Sequence, residues 1–238
     1  MRFAVLGDIH SNIYALESVL EDIKTKNVDY IISTGDLVGY LAYPNEVIDT
    51  IRKNNIITIQ GNHDEKIALG TKPLEDEINK MTEEAIQASA SGVYTNLTIT
   101  KENRDYLKRL PKKMVLVADT LKVMIVHGSP KSNKEYMYEN AEVLEEIAKD
   151  SHADIIISGH THLPYHKEVN YKHFINAGSV GKPKQGSPNG VYVIVEVEGN
   201  KVHCEMIEVP YDVEKMVQAI EKNPMISNQL IDMLQKGY

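Results

Sequence analysis

The sequence predicts an α/β protein with a mostly parallel sheet in its first half and β-hairpins in its second. Three observations carry this expectation. Short, unalternated runs of Val and Ile recur along the chain, as in strands buried on both faces. Helical periodicity separates the first three runs, which is the strand-helix-strand order of right-handed crossovers. From Lys113 onward, paired apolar runs flank turn residues instead.

The elements follow in order. "RFAVL" is the first strand, and "NIYALESVLEDIKTK" places Ile13, Leu16, Val19, Leu20 and Ile23 on one helical face. "YIIS" and "IITI" are the next strands, with the shorter helix "NEVIDTIRKN" between them. The acidic stretch "LEDEINKMTEEAIQASASG" reads as a helix with a solvated face, followed by a helix at "KENRDYLKRL" that Pro111 closes. "MVLVADTLKVMIVHG" gives two strands around Asp119-Thr120, and "DIIIS" another strand. "NGVYVIVEVEGNKVHCEMIEV" is a hairpin turning at Gly199-Asn200, and the tail forms two short helices split at Pro224. The reading is one domain over residues 1–238, with 212–238 as a C-terminal helical extension.

Composition narrows the function. Hydrophobic content of 42% with 25% charged residues is that of a soluble globular protein. The opening "MRFAVLGDIH" lacks the apolar core of a signal peptide, and no apolar run approaches the roughly 18 residues that span a bilayer. A cytoplasmic protein with no membrane partner is expected; a homo-oligomer stays open. Cys204 is the only cysteine, so any metal is held by His, Asp, Glu or Asn. The net charge of −8 argues against nucleic acid as a partner.

Chemistry collects at the strand ends. Asp8 and His10 end the first strand, Asp36 the second, and Asn62, His63 and Asp64 the third. His127 ends "VMIVHGS", while His160 and His162 end "IIISGHTH". Five of the nine histidines thus sit in strand-end turns, and parallel strands bring their carboxyl ends to one edge. Residues i and i+2 of extended chain share a side, so Asp8 with His10, and His160 with His162, form pincers. Imidazole and carboxylate suit Mn, Fe, Zn or Ni. Seven candidate ligands exceed one ion with open positions; two ions sharing Asp36 fit better, and paired ions about 3.5–4 Å apart are typical of phosphate ester hydrolysis. His152, His166, His173 and His203 lack such a setting.

These residues resemble the pattern of the calcineurin-like metallophosphoesterases. D-x-H, G-D, G-N-H-[DE], a strand-end His and G-H-x-H appear in order as Asp8-Ile9-His10, Gly35-Asp36, Gly61-Asn62-His63-Asp64, His127 and Gly159-His160-Thr161-His162. The resemblance runs from Met1 to about residue 197. "NAGSVGKPK" looks like the small prokaryotic phosphodiesterase branch, with Ala177 where many relatives have Pro. "GDLVGYLAYPNEV" and the C-terminal helices resemble a longer subgroup whose activities include dinucleoside polyphosphate hydrolysis. The implied fold is a four-layer αββα sandwich of two mixed sheets, with the metal site at the strand carboxyl ends. The implied ligand sets are Asp8, His10 and His162 for one divalent ion, Asn62, His127 and His160 for the other, and Asp36 between them. Mn is the expected metal, ahead of Fe, Zn or Ni.

The implied reaction is attack on phosphorus by a hydroxide shared between the ions. His63, beside Asn62 but not needed as a ligand, is expected to protonate the leaving group, with Asp64 orienting or charge-stabilising it. Asn12 reads equally as a residue behind the ligands or as a helix cap. Tyr40 and Tyr43, with Tyr136 and Tyr138, follow site motifs and offer rings on which a base can stack. The expected substrate is a small nucleotide-type phosphodiester or anhydride. The alternatives are a phosphomonoesterase or a DNA-repair nuclease of the same superfamily. A non-catalytic scaffold like the retromer subunit is a further one, and the complete ligand set disfavours it.

Overall fold

A computed structural model describes residues 1–70 and 83–238. Among the described residues ten strands form two five-stranded sheets, and both are mixed. The first contains β1 (Arg2–Leu6), β2 (Tyr30–Ser33), β3 (Ile57–Thr58), β9 (Gly190–Glu198) and β10 (Lys201–Val209), in the order β10-β9-β1-β2-β3. Here β1, β2 and β3 run parallel, as the crossovers predict, while β9 joins β1 antiparallel. The second contains β4 (Lys113–Ala118), β5 (Leu121–Val126), β6 (Ile155–Ser158), β7 (Tyr165–Val169) and β8 (Lys172–Asn176), in the order β4-β5-β6-β8-β7. Its β5, β6 and β8 are parallel.

The sheets face each other across a core to which Phe3, Val5, Val193 and Val195 contribute from one side and Val123, Ile125, Ile155 and Ile157 from the other. Alternation along β1 sends Ala4 and Leu6 to the opposite face. There they meet α1 (Ile13–Ile23), α2 (Pro44–Lys53), α3 (Asn62–Leu69) and α5 (Lys101–Arg109) through Leu16, Ile48, Ile67 and Leu107. On the far side of the second sheet, α6 (Val143–Asp150) packs Leu144 and Ile147 against Ile156 and Phe174. The result is helix, sheet, sheet, helix. α7 (Val213–Glu221) and α8 (Gln229–Lys236) add a smaller cluster in which Met216, Ile220, Leu230 and Leu234 cover Leu41 and Ala42, in the loop after β2. Among the described residues no helix is long and apolar enough to cross a membrane.

Several elements differ from expectation. The acidic helix is described from Glu83 and continues to Thr98 as α4; the part of the expected helix through residue 82 lies outside the described residues. Asn62 to Leu69 is a helix rather than a turn, because Asp64 accepts the Gly61 N–H at 3.0 Å and caps its own first turn. α6 and the β7–β8 hairpin were not anticipated. That hairpin turns at Asn170-Tyr171, both with left-handed φ (50° and 62°), as a two-residue turn matched to strand twist requires.

Candidate metal centre

Six parallel strands end at one edge: β1, β2 and β3 of one sheet, β5, β6 and β8 of the other. Their following loops interlock. The Ile9 and His10 N–H groups both donate to the Asp36 carbonyl at 2.9 Å, and the His160 N–H donates to Asp8 Oδ2 at 2.8 Å. Ser179, beyond β8, donates its hydroxyl to the Asp8 carbonyl at 2.7 Å. Close approach at two points excludes any side chain. A Cβ on Gly61 would lie 2.1 Å from Asp36 Oδ1, and one on Gly159 would lie 2.6 Å from Asp8 Oδ2.

The backbone here is strained. Asp8, His10, Asp36, His160 and His162 hold φ between 48° and 66°, a region that costs a non-glycine residue on the order of 1–3 kcal/mol. Ser11 and Tyr40 join them, so seven of the twelve such residues among those described lie at this edge. Six of the seven expected ligands are buried, and Asn62 is half-buried.

Four imidazoles are fixed by backbone carbonyls. His10, His127 and His162 donate from Nδ1 to the carbonyls of Val38, Thr34 and Lys182, at 3.2, 2.9 and 2.6 Å. His160 donates from Nε2 to Lys134 at 3.3 Å. A carbonyl only accepts, so the opposite nitrogen of each neutral ring carries a lone pair.

Those lone pairs face one another. His10 Nε2 is 3.2 Å from His162 Nε2, and Asp8 Oδ1 is 3.4 Å from the second and 3.8 Å from the first. Asp8 Oδ1 is buried with no hydrogen-bond partner. His127 Nε2 lies 2.9 Å from Asn62 Oδ1 and 3.3 Å from Asp36 Oδ2, which is also 3.8 Å from His10 Nε2. Within each of two groups, Asp8-His10-His162 and Asp36-His127-His160, the donor atoms fall within 4.8 Å of one another. Acceptors at such distances repel unless a cation stands among them, so the residues present fit a pair of metal ions.

Electrostatics agree. Burial holds His10 well below its ordinary value and pulls His160 down to about 4 and His162 to about 3, leaving rings neutral and ready to coordinate. Burial likewise pushes Asp8 up to about 7. At His127 burial opposes protonation, but the Asp36 charge and hydrogen bond prevail and raise it to about 9.

Other expected residues sort differently. His63 anchors its backbone N–H on Asp36 Oδ1 at 2.8 Å, and its ring lies 5.0 Å from that of His10 and 4.8 Å from that of Tyr40. Asp64 does not orient His63. Its Oδ1 accepts the Leu37 and Val38 N–H groups at 2.9 and 3.3 Å, and Oδ2 accepts from Gly61, so it clamps the Asp36 loop onto α3. Asn12 caps α1 through the Ala15 N–H and donates to the Gly181 carbonyl at 2.9 Å, serving cap and site loop together. Tyr40 stands edge-on to His10 at 4.7 Å. Tyr43, by contrast, is partly buried against the apolar clusters and pairs its hydroxyl with Tyr14 at 3.1 Å. Tyr136 stacks on His160 at 4.1 Å and Tyr138 on Tyr136 at 5.5 Å, both about half exposed (47% and 46%).

Sequence reasoning missed the loop after β8. Lys182, whose carbonyl holds His162, is a buried lysine beside the ligands. The lysines of "GKPK" directly after a strand-end glycine loop were its visible signal.

Comparison with known proteins agrees with this picture. The calcineurin-like phosphoesterase superfamily domain matches residues 1–200. An uncharacterized protein of Methanocaldococcus jannaschii is 33% identical over 235 residues, 92% of each chain. Among solved structures, a metallophosphoesterase from Sphaerobacter thermophilus superposes with a TM-score of 0.82 at 27% identity, covering 100% of this chain and 99% of that one. A hypothetical protein from Pyrococcus horikoshii does so with a TM-score of 0.87 at 26% identity, covering 100% and 98%.

Proposed function

The chain belongs to the calcineurin-like phosphoesterase superfamily, metal-dependent hydrolases of phosphoester bonds, and on that premise we propose that it cleaves small nucleotide-type phosphodiesters or phosphoanhydrides. The observation that carries the reading is the convergence of lone pairs in two adjoining groups that share Asp36. Asp8, His10 and His162 would hold one divalent ion and Asn62, His127 and His160 the other, with Asp36 reaching both. When bound, such ions supply a nucleophile from water at neutral pH and neutralise charge on the phosphoryl oxygens. Imidazole-rich surroundings favour Mn over the harder Mg.

The chain's own groups do the rest. Backbone carbonyls hold each imidazole in the tautomer that aims its lone pair inward. His63 sits on the first turn of α3 beside Asn62 and would give a proton to the leaving oxygen. The Tyr136–Tyr138 stack continues outward from His160 and gives a nucleobase a flat apolar face.

A parallel screen of a dinucleoside tetraphosphate, a cyclic nucleotide, a phosphomonoester, a phosphopeptide and plasmid DNA tests the reading. The expected result is the highest kcat/KM on a nucleotide diester or anhydride. A higher value on plasmid or phosphopeptide overturns it.

A further inference from the structure

Lys182 has an unusual position for a lysine. Its side chain is buried, with 6% of the residue exposed, and no carboxylate among the described residues pairs with it. Burying an amine without an acid is costly, so such residues are kept for a ligand or a reaction. Its ammonium lies over the Tyr40 ring at 5.5 Å from the centroid, and Tyr40 in turn stands 4.7 Å from His10. The ammonium is not among the sealed, unpartnered polar atoms, so it opens on solvent at the edge of the metal centre.

The loop that carries Lys182 is rigid. Val180 and Gly181 donate their N–H groups to the carbonyls of Gly7 and Asp8, at 2.8 and 3.1 Å. The Lys182 N–H donates to Ser179 Oγ at 2.9 Å. A Cβ on Gly181 would fall 1.7 Å from the Ile9 carbonyl oxygen, so the loop lies directly on the chain after β1. Lys184 follows two residues on, and its positive field reaches Asp8, His162 and Lys182. The two flanks of the centre therefore differ: stacked tyrosines on the His160 side, and two ammonium groups on the side of Asp8, His10 and His162.

We propose that Lys182, backed by Lys184, forms an anion subsite for a second phosphate next to the one under attack, so that phosphoanhydrides are preferred to single phosphate esters. This rests on the proposed hydrolase function. One aromatic ring separates the ammonium from His10, which suits the neighbouring phosphate of an anhydride rather than the reacting phosphorus. With its stem buried and its tip at the edge of the centre, the ammonium is free to make a charge-assisted hydrogen bond to a phosphate oxygen. In the reaction, the oxygen of water bonds to phosphorus, the P–O–P bond to the second phosphate breaks, and that phosphate leaves from Lys182 with the proton His63 delivers; the proton the water gives up passes to solvent, from which His63 is reprotonated.

The test compares full-length wild-type protein with Lys182→Met and Lys182→Arg, all loaded with Mn²⁺. KM and kcat are measured on a dinucleoside tetraphosphate and on bis(p-nitrophenyl) phosphate, which has one phosphorus. Lys182→Met should raise KM on the tetraphosphate by about 10- to 100-fold more than on the diester, and Lys182→Arg should recover most of that loss. Equal losses on both substrates, or none, overturn the subsite. Calorimetric titration of metal-free protein with tripolyphosphate gives a readout independent of turnover. Wild type should bind at least about tenfold more tightly than Lys182→Met; equal binding again overturns the proposal. Wild-type protein that cleaves neither ester would instead defeat the hydrolase reading, and the titration would still decide the subsite.

Discussion

The two ends of the paired sheets are both built with left-handed backbone, yet they carry opposite chemistry. At the amino ends of β2 and β3, a cleft is lined by Leu20, Ile23, Val28, Tyr30 and Ile57 among others. Its single carboxylate, Asp29, already accepts the Arg2 N–H at 2.7 Å. The left-handed residues there, Asn27 and Asn55, are asparagines in turns, where that conformation is cheap. At the carboxyl ends the same conformation falls on Asp and His, and their side-chain lone pairs point at one another. Room alone does not mark a site. Lone pairs gathered against one another do.

The comparison predicts a graded set of outcomes. Asp36→Asn should have the largest effect, because one substitution touches both ligand groups. Activity should fall by more than about 10³-fold together with bound metal. Steady-state rates with metal analysis check this, and retained occupancy of both ions would break the bridging assignment.

His63→Ala comes next. Loss of a general acid should lower turnover on poor leaving groups by about 10²–10⁴-fold and cost much less on nitrophenyl esters, which depart without a proton. If the variant loses metal instead, His63 is a ligand.

Asp64→Ala sharpens the contrast between coordination and architecture. Three backbone N–H groups would lose their acceptor, so unfolding free energy should drop by about 1–3 kcal/mol in a denaturant titration. A wild-type melting curve would show that the clamp is not used. At the amino end, Asn55→Gly keeps the left-handed backbone and removes nothing the site needs. Stability should stay within about 0.5 kcal/mol of wild type and turnover should not change. A marked loss of rate would mean that this end also takes part in function.

The parallel strands and their crossovers were legible because Val/Ile runs and one-sided helices are periodic signals. The convergence of the ligands was legible because it follows from topology: strand ends of parallel strands meet whatever separates them in the chain. α3 was hidden because Gly61-Asn62-His63-Asp64 has the composition of a turn, and the cap that starts the helix uses a residue expected at the chemistry. The β7–β8 hairpin was hidden because "YHKEV" is polar and its turn uses Asn170-Tyr171 in place of glycine. Tyr43 and Asp64 were misplaced for one reason. Adjacency in sequence says nothing about which way a side chain faces once helix and loop pack. Lys182 was missed because burial of a lysine depends on loops from both ends of the chain.

Metal content of the wild-type protein tests the account most directly. The protein is stripped with a chelator, reloaded with Mn²⁺ and dialysed, and the bound ion is measured by mass spectrometry alongside Asp8→Asn and Asn62→Ala. The lone-pair geometry predicts about two ions per wild-type chain and about one in each variant, with activity restored only to the wild type. A wild-type chain that retains no metal, or that cleaves its best substrate at full rate after stripping, would contradict it.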